Sequence, residues 1–239
     1  MTGIQSGYPF YGQHLAVLVF STTTPRIAGD AGNNQSFQFP VRYQIVEGGF
    51  ADLIEGSEQV LSQIKNAVHT LKSQGIRGIV GDCGLMSLYQ QEIASEGIPF
   101  VGSALCLLPA IWEMVGRQGT IGVLTGHSQL LSERHLKASG WHDGICLCVQ
   151  GMEDEPHFDE IVIKGGHHLD PERMLQDVLS GASKLKEKAK DLSALVIECT
   201  NLGTYSRQLY NLLEVPVLDI ISCAVFLERM VNPQVFHER

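Results

Sequence analysis

Two cysteines at matching positions are the residues best suited to chemistry. Cys83 stands in the motif DCG and Cys199 in the motif ECTNLG. Each follows an apolar run and an acidic residue, Asp82 or Glu198, and each precedes a polar turn. A thiolate is the reactive form of cysteine, and a helix N-terminus beside the sulfur favours that form. We therefore expect both thiols to have a lowered pKa and to act in catalysis.

A pair of thiols could move a proton on and off one carbon atom. Removing the proton from one face and returning one to the other face requires a group on each side, one starting as thiolate and one as thiol. Two facing thiolates would repel each other, so the pair should titrate as a coupled system. The enolate-like carbanion needs preorganised hydrogen-bond donors, which the turns after the cysteines could supply.

An internal repeat relates the two cysteines. The segment GIVGDCGLMSLY from Gly78 corresponds to ALVIECTNLGTY from Ala194, and the apolar run LAVLVF corresponds to TIGVLT. A repeat of this length indicates two copies of one α/β unit. We predict a first lobe formed by residues 1–113 plus 218–239 and a second lobe formed by residues 114–217.

Apolar runs and helical patterns alternate along both halves, which predicts parallel sheets. Helices are predicted over 57–75 and 170–190, the second with Asp170 as its N-cap. The predicted buried strands are 15–20, 75–81, 98–102, 120–125, 194–198 and 215–220. The fold class is therefore α/β, with two pseudo-symmetric lobes, each a parallel sheet flanked by helices.

Ligands of parallel α/β sheets bind at the carboxyl ends of the strands, where Cys83 and Cys199 both lie. Approximate two-fold symmetry would bring these ends face to face, with the active site in the cleft between the lobes. The longest irregular stretch, residues 22–43, could cover that cleft.

The motifs DCG and ECTNLG and the strand TIGVLT resemble the aspartate/glutamate/hydantoin racemase superfamily, whose members are cofactor-independent two-cysteine racemases. The resemblance implies that Cys83 and Cys199 are the catalytic acid and base, with no cofactor and no metal. It also implies a homodimer. By position, the residues implied to bind substrate are Ser21, Thr22, Thr23, Gly84, Thr125, Thr200 and Asn201. Glutamate racemases typically carry His where this chain has Asn201, which leaves the substrate open.

Several polar residues are candidates for an assisting role. Asp82 and Glu198 adjoin the two cysteines and could position a loop or cap a helix, and His127 follows the strand TIGVLT and could face the cleft. Arg26 and Arg42 belong to the long loop, where either could meet a substrate anion. The remaining repeat-related cysteines, Cys106 and Cys223, lie in apolar segments and are interpreted as packing residues.

Composition excludes several classes of partner. The formal net charge is −9, and no cluster of Lys and Arg interleaves with aromatic residues, so we expect no nucleic-acid partner. No apolar run reaches the roughly 18–20 residues that cross a bilayer, and the N-terminus lacks the pattern of a leader peptide. We expect a cytoplasmic protein that acts on a small molecule and has no membrane partner.

The sequence favours a racemase or epimerase of an amino acid, aspartate- or glutamate-like, or of a hydantoin. One alternative is a cis–trans isomerase of a small dicarboxylic acid, in which a cysteine attacks a double bond. Another is a non-catalytic two-lobed protein that closes on a ligand. Decarboxylases of the same superfamily keep one of the two cysteines, so the presence of both disfavours decarboxylation.

Overall fold

Two parallel four-stranded sheets form the framework of the protein. The computed structural model describes residues 7–48 and 50–235. The first six residues, on which the expectation about a leader peptide rests, lie outside that range, as do Gly49 and residues 236–239. The first sheet contains β1 (Leu15–Phe20), β2 (Val41–Val46), β3 (Gly78–Gly81) and β4 (Phe100–Val101). The second contains β5 (Thr120–Thr125), β6 (Leu147–Gly151), β7 (Leu192–Ile197) and β8 (Val217–Leu218).

The sheets repeat one topology, which confirms the predicted fold class. Their strand orders are β2-β1-β3-β4 and β6-β5-β7-β8, and the neighbouring strands pair in parallel. The first strand of each repeat is therefore central and has buried residues on both faces, as the runs LAVLVF and TIGVLT predict. The lobe boundaries themselves stay a prediction.

Helices connect the strands. They are α1 (Phe50–Glu55), α2 (Glu58–Ser73), α3 (Gln90–Ala94), α4 (Leu108–Met114), α5 (Glu133–Ala138), α6 (Pro156–Phe158), α7 (Pro171–Lys188), α8 (Ser206–Leu213) and α9 (Ile220–Val231). The predicted cap of α7 is present, since the Asp170 carboxylate accepts hydrogen bonds from the amides of Glu172 and Arg173. Short 3₁₀ helices occupy Asn34–Ser36, Gly84–Tyr89, Ala104–Leu107 and Thr200–Tyr205, and a π-helical turn spans Asp159–Ile163.

The prediction that residues 22–43 are irregular is wrong at the end of that stretch, because β2 begins at Val41. This strand lies at the edge of its sheet, pairing with β1 from Leu15↔Val41 to Phe20↔Val46. Four of its six residues are half-buried or exposed. An edge strand of this kind lacks the continuous apolar run by which central strands are recognised.

The two lobes share a continuous apolar core. The larger cluster of buried side chains extends from β1 and β3 to Ile121, Val123 and Val196 on the second sheet. Helix α9, which follows the last strand of the second sheet, packs against β1, β3 and β4 of the first. Its Leu227 is 2% exposed.

Among the described residues, no helix is both long enough and apolar enough to cross a membrane.

Helix α9 gives a direct test of the shared core. We expect Leu227→Ala to lower the free energy of unfolding by about 2–5 kcal/mol, because the substitution leaves a cavity against β3. The neighbouring Phe226 is 55% exposed, so Phe226→Ala should cost less than about 1 kcal/mol. Urea unfolding of both variants measures the difference. Equal losses would contradict the packing of α9 on the first sheet.

Candidate active site

A cavity of about 520 Å³ lies where the carboxyl ends of the two sheets meet. It brings together the residues that the sequence analysis proposed for catalysis, substrate binding and assistance, and Arg26 as well, but not Arg42. These residues are Ser21, Thr22, Thr23, Asp82, Cys83, Gly84, Thr125, His127, Glu198, Cys199, Thr200 and Asn201. Their roles stay predictions, but their common position follows from the repeat, because β1, β3, β5 and β7 all end at this cavity.

Each cysteine occupies the same place in its lobe. Cys83 follows β3 and precedes the 3₁₀ helix Gly84–Tyr89, and Cys199 follows β7 and precedes the 3₁₀ helix Thr200–Tyr205. Both residues have extended backbone conformations and are partly exposed to the cavity. The two thiols are close enough that charge on Cys199 raises the pKa of Cys83.

The expectation of lowered thiol pKa values is wrong. Burial raises the pKa of both Cys83 and Cys199, and the carboxylate of Glu198 is the next largest cause at each sulfur. Backbone amides oppose this effect, that of Leu85 at Cys83 and that of Asn201 at Cys199. The sequence indicates the backbone amides of the turn, which lower the thiol pKa. It does not indicate the desolvation, which raises the thiol pKa by more than the amides lower it.

The hydrogen bonds of the two sulfurs differ. The Asn201 side-chain amide donates from Nδ2 to Asp30 at 2.7 Å, which fixes its Oδ1 towards Cys199. The Cys199 Sγ lies 3.7 Å from that Oδ1, so the thiol form of Cys199 has an acceptor for its proton. A thiolate at this sulfur would lose that hydrogen bond. The geometry therefore favours Cys199 as the protonated member of the pair.

Arg26 links the long loop to both lobes. Its Nη1 lies 2.7 Å from Asp30 Oδ1 and its Nη2 lies 2.7 Å from Asp82 Oδ2. Asp30 in turn accepts the Asn201 amide, and the Ala31 amide donates to the hydroxyl oxygen of Thr200 at 2.9 Å. The loop thus connects the DCG motif of the first lobe to the ECTNLG motif of the second.

The two loop arginines already have contacts within the protein. The Arg26 guanidinium is paired with two carboxylates that are each 1% exposed in their side chains, so its charge is already balanced. Arg42 lies in β2, where its guanidinium carbon stacks 5.2 Å from the centre of the Phe10 ring. The suggestion that either arginine receives a substrate anion is therefore not supported by their contacts.

The two acidic neighbours of the cysteines are buried and perturbed. Burial raises the pKa of Asp82 to about 6 although Arg26 opposes the shift, and burial raises the pKa of Glu198 to about 7. The Glu198 Oε2 accepts a hydrogen bond from the Thr125 hydroxyl at 2.7 Å. Neither residue caps a helix; Asp82 instead positions the loop through Arg26.

Glu198 also explains why glycine follows Cys83. A Cβ atom at Gly84 would overlap the carboxyl group of Glu198, which reaches this turn from the second lobe. Gly126 differs, since a Cβ there would lie 3.5 Å from the Cys199 sulfur, which is an ordinary contact. Glycine at position 84 thus lets the turn after Cys83 approach an acidic group of the other lobe closely.

His127, which the sequence analysis proposed, is half-buried at the cavity, and its Nδ1 accepts a hydrogen bond from the Gln129 amide at 3.3 Å.

Several other residues of the cavity lining were not predicted from the sequence. The residues that were missed are mainly apolar and come from segments distant in sequence: Phe20, Leu85, Leu130, Phe158, Val162 and Ile163. Of these, Phe20 and Leu85 adjoin the predicted motifs and could have been included. The others carry no signal that separates them from core residues.

Comparison with known proteins finds sequence relatives among dimethylsulfoniopropionate lyases. No family model matches the chain. It is 29% identical over 213 residues to a dimethylsulfoniopropionate lyase of Durusdinium sp. clade D, covering 85% of this chain and 70% of that protein. It is 28% identical over 236 residues to dimethylsulfoniopropionate lyase 6 of Emiliania huxleyi (strain CCMP1516), covering 92% of this chain and 61% of that protein. The chain thus spans 61–70% of the length of these relatives.

Solved structures give the fold. Unliganded arylmalonate decarboxylase superposes with a TM-score of 0.62 at 12% identity, covering 92% of this chain and 94% of that chain. Allantoin racemase from Klebsiella pneumoniae superposes with a TM-score of 0.56 at 19% identity, covering 92% of this chain and 87% of that chain. An aspartate racemase homologue from Pyrococcus horikoshii OT3 superposes with a TM-score of 0.55 at 16% identity, covering 92% of this chain and 99% of that chain. The chain has the aspartate/glutamate/hydantoin racemase fold. This confirms the fold that the motifs predict.

The arginine bridge can be tested through stability. We expect Arg26→Met to lower the free energy of unfolding by about 3–5 kcal/mol at pH 8, because it leaves two buried carboxylates without their cation. Loss of the cation raises the folded-state pKa of Asp82 further above its unfolded value. The folded variant then binds more protons than the unfolded chain, so its stability falls as pH rises and the deficit should be smaller at pH 5.

Urea unfolding at the two pH values measures this difference. Arg173→Met is the matched control, since Arg173 is 55% exposed in its side chain and pairs with the exposed Glu160. It should change stability little at either pH. A deficit in Arg26→Met that is equal at pH 5 and pH 8 would contradict the charge-balancing role.

Proposed function

We propose that this chain is a lyase that removes a proton from the carbon next to a carboxylate and expels a sulfonium group from the adjacent carbon, with dimethylsulfoniopropionate as substrate. One observation carries the proposal: the Cys83 thiol lines a cavity whose wall also offers hydroxyl groups suited to a carboxylate and aromatic rings suited to a sulfonium group. The sequence relatives, which are dimethylsulfoniopropionate lyases, give the leaving group.

The reaction needs one base. A cysteine thiolate takes the proton from the α-carbon, so a C–H bond breaks and an S–H bond forms. The electron pair left on the α-carbon is delocalised into the carboxylate as an enolate. It then forms a carbon–carbon double bond as the bond from the β-carbon to sulfur breaks. The sulfur leaves with that bonding pair as neutral dimethyl sulfide, and the remaining product is acrylate.

The contacts of the two sulfurs favour Cys83 as the base. Each sulfur receives a backbone amide hydrogen bond, that of Leu85 at Cys83 and that of Asn201 at Cys199. Cys199 differs in that the Asn201 Oδ1 also accepts its thiol proton. In this assignment Cys199 stays protonated on the opposite side of the substrate. The burial that raises the pKa of Cys83 also makes its thiolate a stronger base once formed.

The cavity offers two kinds of surface to such a zwitterion. The hydroxyl groups of Ser21, Thr22 and Thr23 and the amides of the two 3₁₀ turns are suited to a carboxylate. Phe20 and Phe158 are suited to a dimethylsulfonium group, since a cation is attracted to the face of an aromatic ring. The substrate would thus lie with its α-carbon between the sulfurs.

Racemisation or epimerisation of an amino acid or hydantoin is the second candidate. The observation that favours it is the presence of a thiol in both lobes, because elimination requires only one base. The two reactions differ in heavy water. A racemase incorporates deuterium into substrate that it returns, while a lyase releases dimethyl sulfide.

The lyase proposal predicts unequal effects of the two cysteines. We expect Cys83→Ser to lower dimethyl sulfide release by about 10²–10⁴-fold, because it removes the base. Cys199→Ser should cause a smaller loss, since a hydroxyl can still donate to Asn201. Headspace gas chromatography of the purified variants with dimethylsulfoniopropionate measures the rates.

Cys146→Ser is the matched control, because Cys146 is exposed and lies outside the cavity lining. It should release dimethyl sulfide at the rate of the unmodified protein. Wild-type rates from Cys83→Ser would exclude Cys83 as the base. Absence of dimethyl sulfide from the unmodified protein, together with deuterium incorporation into a chiral amino acid or hydantoin, would replace the lyase by the racemase.

A further inference from the structure

The charges around the cavity pose a problem for an anionic ligand. Among the described residues of the lining, the basic side chains are Arg26, Lys164 and His127. Arg26 is balanced by Asp30 and Asp82, and Lys164 is 71% exposed and paired with Asp159. Glu198 adds a further acidic group at the inner wall. A carboxylate that enters this cavity therefore finds no unpaired permanent cation among these residues.

Glu198 is placed where it would meet such a ligand. Its residue is 5% exposed, it lines the cavity, and its Oε2 is held by the Thr125 hydroxyl. The carboxyl group lies against the Cα of Gly84, directly after Cys83, while the chain continues from Glu198 into Cys199. One carboxyl group thus adjoins both thiols. When ionised, it opposes a thiolate at either position and would repel an enolate between them.

We propose that Glu198 is protonated when a carboxylate occupies the cavity and donates a hydrogen bond to that carboxylate. The inference rests on the proposed function, since it takes the substrate to carry a carboxylate beside the reacting carbon. A neutral carboxyl group removes the repulsion from the substrate, from the thiolate and from the enolate at once. It also replaces a repelling charge by a hydrogen-bond donor where negative charge develops.

The groups that surround Glu198 are the alternative sites for a proton taken up when a carboxylate binds. Thr125 and the Gly126 amide on the β5 side donate to it and cannot take up a proton. Asp82 faces the cavity from β3 and is paired with Arg26, and burial raises its pKa to about 6, below that of Glu198. The thiols of Cys83 and Cys199 are already protonated because burial raises their pKa. His127 is half-buried after β5 and lines the same cavity, so the Glu198→Gln variant is needed to assign the proton to Glu198. The pKa of Glu198, about 7, makes proton uptake accessible near neutral pH.

Propionate, which lacks the sulfonium group, is the probe. Isothermal titration of the full chain in buffers of different ionisation enthalpy counts the protons taken up on binding. Because free Glu198 has a pKa of about 7, binding at pH 8 should take up about 0.9 proton, and binding at pH 6 should take up about 0.1. Propionate affinity should fall about tenfold per pH unit above 7.

Glu198→Gln keeps a neutral hydrogen-bond donor of the same shape. It should bind propionate with an affinity that is independent of pH between 6 and 9 and should take up no proton. At pH 9 it should bind about 100-fold more tightly than the unmodified protein. Glu113→Gln, at an exposed ion pair with Arg117, is the control and should behave as the unmodified protein.

The outcomes separate this inference from the proposed function. Propionate binding with no proton uptake, or uptake that persists in Glu198→Gln, would overturn the role of Glu198 and leave the lyase proposal intact. If Glu198→Gln fails to fold, a pH-independent affinity of the unmodified protein still overturns the inference. Absence of propionate binding from pH 6 to 9 would overturn the carboxylate site itself and the inference with it.

Discussion

The site depends on one buried ion-pair arrangement, the guanidinium of Arg26 between Asp30 and Asp82. Each of these contacts is 2.7 Å long, and Asp30 extends the arrangement to Asn201 in the second lobe. A loop in the first lobe is thereby fixed against the turn that follows Cys199. Since removing one partner of a buried ion pair leaves an uncompensated charge, the arrangement resists separation of the two motifs.

The cavity beside that arrangement is one in which negative charge is difficult to form. Burial and neighbouring carboxylates raise the pKa of both thiols, although the chemistry proposed for them needs a thiolate. Backbone amides of the two 3₁₀ turns and a protonated Glu198 are the means by which the protein can offset this. The protonation states of Glu198 and of the two thiols then decide whether the proposed reaction can proceed.

Much of this could be predicted from the sequence because the repeat is regular. Central strands such as Leu15–Phe20 and Thr120–Thr125 are continuous apolar runs, and their ends place Cys83 and Cys199 at one cavity. The edge strands Val41–Val46 and Leu147–Gly151 were missed because partly exposed residues interrupt their apolar pattern. The pairing of Arg26 and the direction of the thiol pKa shifts depend on three-dimensional burial, which a local pattern does not encode.

The central claim is that two thiols from different lobes face one small space. Treatment of the native protein with 1,3-dibromoacetone, which joins two nearby thiols through three carbons, tests it directly. Mass spectrometry of the digested protein should find the peptide containing Cys83 joined to the peptide containing Cys199. Single adducts on each cysteine, with no joined peptide, would contradict the account, because the sulfurs would then not share the cavity in which the reaction is proposed to occur.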